Sequence, residues 1–215
     1  LKQITDISKI DYLVVSHTEP DHAGSVEKLL ELNPGIKIIA TGCAVNFLKE
    51  IVNADFTALP VKDNQEMKIG DKTLKFLIVP NLHWPDTMYT YIEEEQILVT
   101  CDSLGSHYGF HDILLSKVTD WEGYMRATKY YFDNIIGPFK SYMKKALERV
   151  RRLDLSMICT GHGPVLDAKI DFILDTYEEW CTVINPNERK TVVIPYVSAY
   201  GYTKELAEQI ARGIA

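Results

Sequence analysis

The sequence predicts an α/β fold: a layered domain with a mixed sheet, followed by the start of a second α/β unit. Three observations predict it. Short runs rich in Val, Ile, Leu and Tyr alternate with stretches of helical periodicity. Two gaps between runs, Gly70-Asp71 and Glu93-Glu94-Glu95, have the composition of hairpin turns. The polar segment Asn185-Pro186-Asn187-Glu188-Arg189-Lys190 then sets off a new strand–loop–helix pattern, as a domain linker does.

In chain order, strands are expected at residues 12–15, 36–40, 74–79, 88–92, 97–100, 157–160 and 191–197, where β-branched, aliphatic and aromatic residues crowd into short runs. Helices are expected at 25–32, 44–53, 121–136, 139–153, 169–183 and 203–214. Gly137-Pro138 separates the two middle ones. Residues 1–186 form the first domain in this reading, and 187–215 begin the second. The start at Leu1 without Met, and the stop at Ala215 just after a helix, are those expected of an internal fragment of a longer protein.

Bulk properties narrow the function. An apolar content of 46% supplies a real core. The net charge is −7, from 23 basic and 30 acidic residues, with no basic stripe, which argues against nucleic acid and anionic membrane as partners. No apolar run approaches the roughly 18 residues of a membrane span, and no signal peptide is present. The four cysteines are scattered without a C-x-x-C and read as reduced core residues of a cytoplasmic protein.

The run His17-Thr18-Glu19-Pro20-Asp21-His22-Ala23-Gly24 puts four potential metal ligands in six residues, directly after a strand. Residues two apart on an extended strand end point the same way. His17, Glu19 and Asp21 can therefore converge, with His22 brought round by a turn that Gly24 frees. Three more donors follow at strand ends: His83 after Val79-Pro80, Asp102 after Ile97–Cys101, and His162 in Gly161-His162-Gly163-Pro164. A carboxylate such as Asp102 can bridge two cations and hold them about 3.5–4 Å apart. A lone His in a turn is ordinarily a cap or a surface residue, and His107 and His111 are left unassigned on that ground.

The pattern H-x-[HE]-x-D-H followed by His, Asp and His at strand ends resembles the metallo-β-lactamase superfamily. Its hydrolases usually carry His in the middle position and bind zinc. With Glu19 there, the chain resembles the flavodiiron proteins, as do Pro20, His83-Trp84-Pro85-Asp86 and Gly161-His162-Gly163-Pro164. Physically, Glu19 adds a hard anionic donor, and with Asp21 and Asp102 it supplies three negative charges that suit two irons better than two zincs. The resemblance implies a metallo-β-lactamase-like αββα sandwich, N-terminally incomplete, with two non-haem irons. His22 either ligates the second iron or swings away and leaves a water there; ligation is the expectation.

The run Ser198-Ala199-Tyr200-Gly201-Tyr202-Thr203, between the last strand and helix, builds an anion site from loop amides, hydroxyls and the helix dipole. It resembles the FMN-phosphate loop of flavodoxins. That implies FMN contacts from Ser198, Tyr200, Gly201, Tyr202 and Thr203, although Tyr200 departs from the Thr usual in short flavodoxins. The start of a flavodoxin-like doubly wound domain follows. The combined resemblance implies an oxidoreductase that reduces O2 to water or NO to N2O at a di-iron centre fed by FMN. A rubredoxin-like donor and a head-to-tail homodimer are also implied. The alternatives are a binuclear zinc hydrolase of the same fold and an inactive fragment.

Overall fold

Tyr12–Val14 (β1), Lys37–Thr41 (β2) and Thr57–Val61 (β3) pair in parallel in the order β1-β2-β3. The computed structural model of the chain describes residues 3–182 and 190–214. Parallel neighbours need a crossover. Pro20–Ala23 (α1) with Val26–Leu32 (α2) supplies the first, and Gly42–Ile51 (α3) the second. The second sheet holds Glu66–Ile69 (β4), Lys72–Ile78 (β5), Met88–Ile92 (β6), Ile97–Cys101 (β7) and Met157–Thr160 (β8), in that order. Its pairs are antiparallel as far as β7, and β7 and β8 run parallel. Trp121–Tyr131 (α4) and Lys140–Val150 (α5) lie in the crossover between β7 and β8, and Ile170–Trp180 (α6) follows β8.

Two-residue alternation sorts the side chains into three apolar layers. Tyr12, Val14, Ile39 and Leu59 from the first sheet meet Leu74, Phe76, Ile78 and Met88 from the second. Their neighbours Leu13, Val15, Ile38 and Ala40 face the other way, onto Val26 and Leu30 of α2 and Ala44 and Leu48 of α3. On the far side, Leu77, Tyr89, Leu98 and Ile158 pack against Tyr124, Met143, Leu147 and Tyr177 of α4 to α6. The layers are therefore helix, sheet, sheet, helix, the αββα sandwich that the family resemblance implies. Full burial of a side chain such as Phe76 contributes about 1.5–3 kcal/mol.

Several elements differ from the sequence reading. β3 was not anticipated because Pro60 interrupts its run. Pro is tolerated there because β3 is an edge strand. The expected helix at 121–136 is α-helical to Tyr131 and then opens into a π turn over Phe132–Ile136, before a 3-10 turn at Gly137–Phe139. Both predicted hairpins are present, with Gly70 at φ 63.

The chain divides into two compact units, Leu1–Thr182 and Val183–Ala215. The linker expected at 185–190 and the boundary at 186–187 fall almost wholly on residues 183–189, outside the described residues. In the second unit the strand expected at 191–197 is not formed. The segment has no ladder, and Val193 and Val197 are exposed. A strand is defined by pairing, and no described strand lies beside it in the sheet order. The helix after it is local and does form, as Tyr202–Ile214 (α7).

Candidate metal centre

The two-sheet scaffold brings four strand ends to one place: the segments after β1, β5, β7 and β8. β5, β7 and β8 run in the same direction, so their C-terminal ends share one rim. All seven predicted donors meet there. Glu19 leads directly into α1, with Pro20 at its first position. The freedom expected from Gly24 is not what is used: its φ is −62°, an ordinary helical value. Glycine is needed at 24 for space, because a Cβ there would sit 2.4 Å from Pro20 O, and also at 161 and 163. A Cβ on Gly161 would sit 2.8 Å from His22 Cε1, and Gly163 has φ +80° with Ser106 Oγ 2.3 Å from where its Cβ would be. Thr41 caps α3 by accepting from Ala44 N, and it donates to Asp86 O, which ties β2 to the loop carrying His83.

Asp102 divides the cluster in two. Its Oδ2 lies 2.9 Å from His83 Nε2 and 3.5 Å from His17 Nε2. Glu19 Oε2 closes that set, 2.8 Å from His83 Nε2 and 3.3 Å from His17 Nε2. Asp102 Oδ1 lies 2.9 Å from His22 Nε2 and 3.4 Å from His162 Nε2. Asp21 Oδ2 closes the second set, 3.3 Å from His162 Nε2 and 3.6 Å from His22 Nε2. Each set is three donors facing one oxygen of a shared carboxylate. The described His22 ring points into the second set.

The charges follow the geometry. Burial works to raise the Asp102 carboxyl, but His22, His83 and His17 overcome it and hold it well below the usual carboxylate range. Burial lowers the His17 pKa and keeps its imidazole neutral. His22 and His83 are raised, each chiefly by the Asp102 carboxylate. Burial also holds the Cys101 thiol protonated, far above its ordinary range.

The donor set fits metal ions. Asp102 Oδ1 is buried and His22 Nε2 is close by, yet the two are not aligned for a hydrogen bond and neither has another partner. A buried carboxylate oxygen left without a partner is costly, and a cation between these groups removes that cost. Four imidazoles and three carboxylates are the hard, oxygen-rich ligation suited to non-haem iron.

Other side chains near the cluster escaped the sequence reading. Trp84 stacks on His17 at 6.1 Å and 26°. Tyr131 donates to Asp102 O at 3.0 Å. His107, left unassigned, packs edge-on to His162 at 5.5 Å and to Tyr131 at 4.8 Å. Cys101 Sγ lies 3.1 Å from His17 Nδ1. Only Trp84 carried a sequence signal, its place next to His83. The others depend on how distant segments fold.

With that arrangement in hand, the family model described as ODP family beta lactamase matches residues 1–163. The chain belongs to the ODP family of beta lactamases. Curated proteins similar to it include ones named flavo-diiron protein and diflavin flavoprotein. The chain is 40% identical over 218 residues to "Flavo-diiron protein FprA2" of Clostridium acetobutylicum, covering 100% of this chain and 54% of that one. It is also 40% identical over 220 residues to "Diflavin flavoprotein A 1" of Synechocystis sp., covering 100% of this chain and 37% of that one. The ODP-family chain thus spans about half or less of the length of these curated relatives. Among solved structures it superimposes on the flavodiiron protein of Giardia intestinalis with a TM-score of 0.79 at 32% identity, over 84% of this chain and 44% of that one. Rubredoxin oxygen:oxidoreductase of Desulfovibrio gigas gives a TM-score of 0.79 at 26% identity, over 84% and 46%.

In the second unit of this ODP-family chain, Ser198 Oγ accepts from Gly201 N at 3.0 Å, and Gly201 has φ +89°. Tyr200 and Tyr202 are exposed, and Tyr202 and Thr203 open α7. No described helix is long and apolar enough to cross a membrane.

Proposed function

We propose that residues 12–182 carry the di-iron centre of a flavodiiron oxidoreductase that reduces O2 to water or NO to N2O. His17, Glu19 and His83 would hold one iron and Asp21, His22 and His162 the other, with Asp102 bridging. The observation that carries this reading is the division of Asp102, whose two oxygens each face a separate set of three donors. The relatives named flavodiiron and diflavin proteins support iron over the zinc-hydrolase alternative.

Two irons held there would supply two electrons and neighbouring positions for two NO molecules or the two atoms of O2, and the flavin would supply the further two electrons that taking O2 to water requires. The chain's own residues prepare those positions. Asp102, Glu19 and Asp21 provide three negative charges against two cations, which lowers the mutual repulsion of the pair. His17 arrives neutral because it is buried, so binding a cation requires no net loss of a proton from its ring. His22 and His83 are held nearer the protonated form by Asp102 and release their protons when a cation takes that place.

FMN is the proposed immediate electron donor, with its phosphate at Ser198, Tyr200, Gly201, Tyr202 and Thr203. The bond from Gly201 N to Ser198 Oγ and the adjacent helix start are consistent with an anion loop. A rubredoxin-like protein is the proposed upstream donor, as the name of the Desulfovibrio gigas neighbour says of that protein. A head-to-tail homodimer and a cytoplasmic location complete the proposal.

The test is elemental analysis of protein made under iron-replete conditions, with O2 and NO consumption measured using reduced flavin. Two irons per chain and turnover are expected. Two zincs, no iron and hydrolysis of a thioester or lactone overturn the reading.

A further inference from the structure

The described residues of β7 do not finish as a regular strand. The register against β8 runs Val99 to Cys159 and then Cys101 to Thr160, so Thr100 is an extra residue. Cys101 sits at φ 53°. In regular alternation Cys101 and Asp102 would point to opposite faces. The bulge with its left-handed residue re-aims both at the centre. Asp102 Oδ2 then faces His17 Nε2, and Cys101 Sγ faces Nδ1 of the same ring at 3.1 Å. Both Cys101 and His17 are buried. Among the described residues no other group bonds Nδ1.

The chemistry of that partner is unusual. A metal-ligating imidazole ordinarily directs its second nitrogen to a carboxylate, a carbonyl or water. Carboxylate and carbonyl groups only accept, and so fix the proton on that nitrogen. A thiol both donates and accepts. Without a cation, His17 Nε2 faces the oxygens of Glu19 and Asp102 at 3.3 and 3.5 Å, which calls for a proton on Nε2 and a donor at Nδ1. With Nε2 given to a metal, the proton belongs on Nδ1, which then needs an acceptor.

We infer that Cys101 is the positioning residue of His17, holding the ring through Nδ1 and serving either tautomer, as donor when the centre is empty and as acceptor when it is loaded. The inference rests on the reading of His17 as a metal ligand. Net charge on the pair is unchanged, because the ring proton exchanges one nitrogen for the other and the S–H turns away.

The test uses the full chain labelled with nitrogen-15, with zinc as a diamagnetic probe. The nitrogen shifts of His17 are read with and without zinc, and zinc affinity is measured by competition with a chelator. In the wild type the Nε2–H form is expected without metal and the Nδ1–H form with zinc. Cys101→Ser, which keeps a donor and acceptor, preserves both states and holds affinity within a few fold. Cys101→Ala loses about 10–100-fold in affinity, the usual effect of removing a ligand's hydrogen-bond partner, and shifts the His17 nitrogens in the metal-free protein. Unchanged affinity and shifts in Cys101→Ala, or no rescue by serine, overturn the inference. If alanine prevents folding, the wild type still decides: a metal-free His17 already in the Nδ1–H form overturns it. If zinc binds to none of the proteins, the metal reading falls, while the metal-free shifts of wild type and alanine still judge Cys101.

Discussion

The two halves of the centre share Asp102 but not their surroundings. In the half around Oδ2, His17 has no exposed side-chain surface. It is stacked on Trp84 and backed by Cys101. In the half around Oδ1, Asp21 is half exposed and His162 is 30% exposed. The halves differ most at His17 and Asp21, since Glu19 is 30% exposed like His162, and His83 is 18% exposed like His22. A buried ligand is held in one geometry by its neighbours, while an exposed one can yield to an exogenous molecule at low cost. The outer half is therefore the one expected to exchange metal and to meet substrate first.

The sharpest way to break this comparison is to remove what the halves share. Asp102→Ala is expected to lose both metals, or to keep a single loosely held one, and with them the proposed NO and O2 reduction. Asp102→Asn keeps the shape but leaves two anionic ligands against two cations, and their repulsion at about 3.5–4 Å is then poorly offset. It should lose the coupled pair as well. Metal counting with Mössbauer or EPR spectroscopy decides. Two magnetically coupled irons in Asp102→Ala would mean that Asp102 is not the bridge.

One step smaller, changes confined to one half should empty that half. His17→Ala or Glu19→Ala should leave one metal, in the outer set. Asp21→Ala or His162→Ala should leave one metal, in the inner set. The two classes should give distinguishable single-ion spectra. Identical spectra from both would erase the distinction between halves.

His22→Ala tests whether the ring that points into the outer set ligates there. Its Nε2 is 2.9 Å from Asp102 Oδ1. The outer metal should bind at least about tenfold more weakly, a cost of about 1.4 kcal/mol, with the inner one unchanged. Full occupancy of both positions with full activity would show that His22 is not needed.

The least direct effect on the centre should come from Gly161→Ala, whose added methyl meets His22 Cε1. Overpacking of this kind costs about 1–3 kcal/mol, and it should fall on folding stability and on the outer metal only. A melting temperature and a two-metal count equal to those of the wild type would show that the loop yields freely.

The seven clustered donors were legible in the sequence because they follow short apolar runs, so the strand ends fix their places. The layered α/β domain was legible because hairpin turns and short apolar runs are local signals, while the αββα arrangement followed from the family resemblance. β3 was hidden by Pro60, whose acceptance depends on an edge position that only the assembled sheet defines. The role of Cys101 was hidden for a similar reason. Alternation places it away from the centre, and only the bulge opposite Thr160 turns it back. The run at 191–197 shows the reverse failure. Its composition is that of a buried strand, but composition does not provide a neighbour, whereas α7 closes its own hydrogen bonds and forms.

The π turn at Phe132–Ile136 has a bearing on how this chain tolerates insertion and deletion. Such a turn carries one residue more than an α turn. Deleting any one of Phe132, Asp133, Asn134, Ile135 or Ile136 would let α4 run on as regular helix, a repair by the standards of backbone geometry. It would also rotate the part of α4 before the deletion by about 100° relative to the part after it. Tyr131 would then swing its hydroxyl off Asp102 O, its acceptor in the folded chain. The surplus residue works as a phase-setter, so a shorter and more regular helix here should be a worse one.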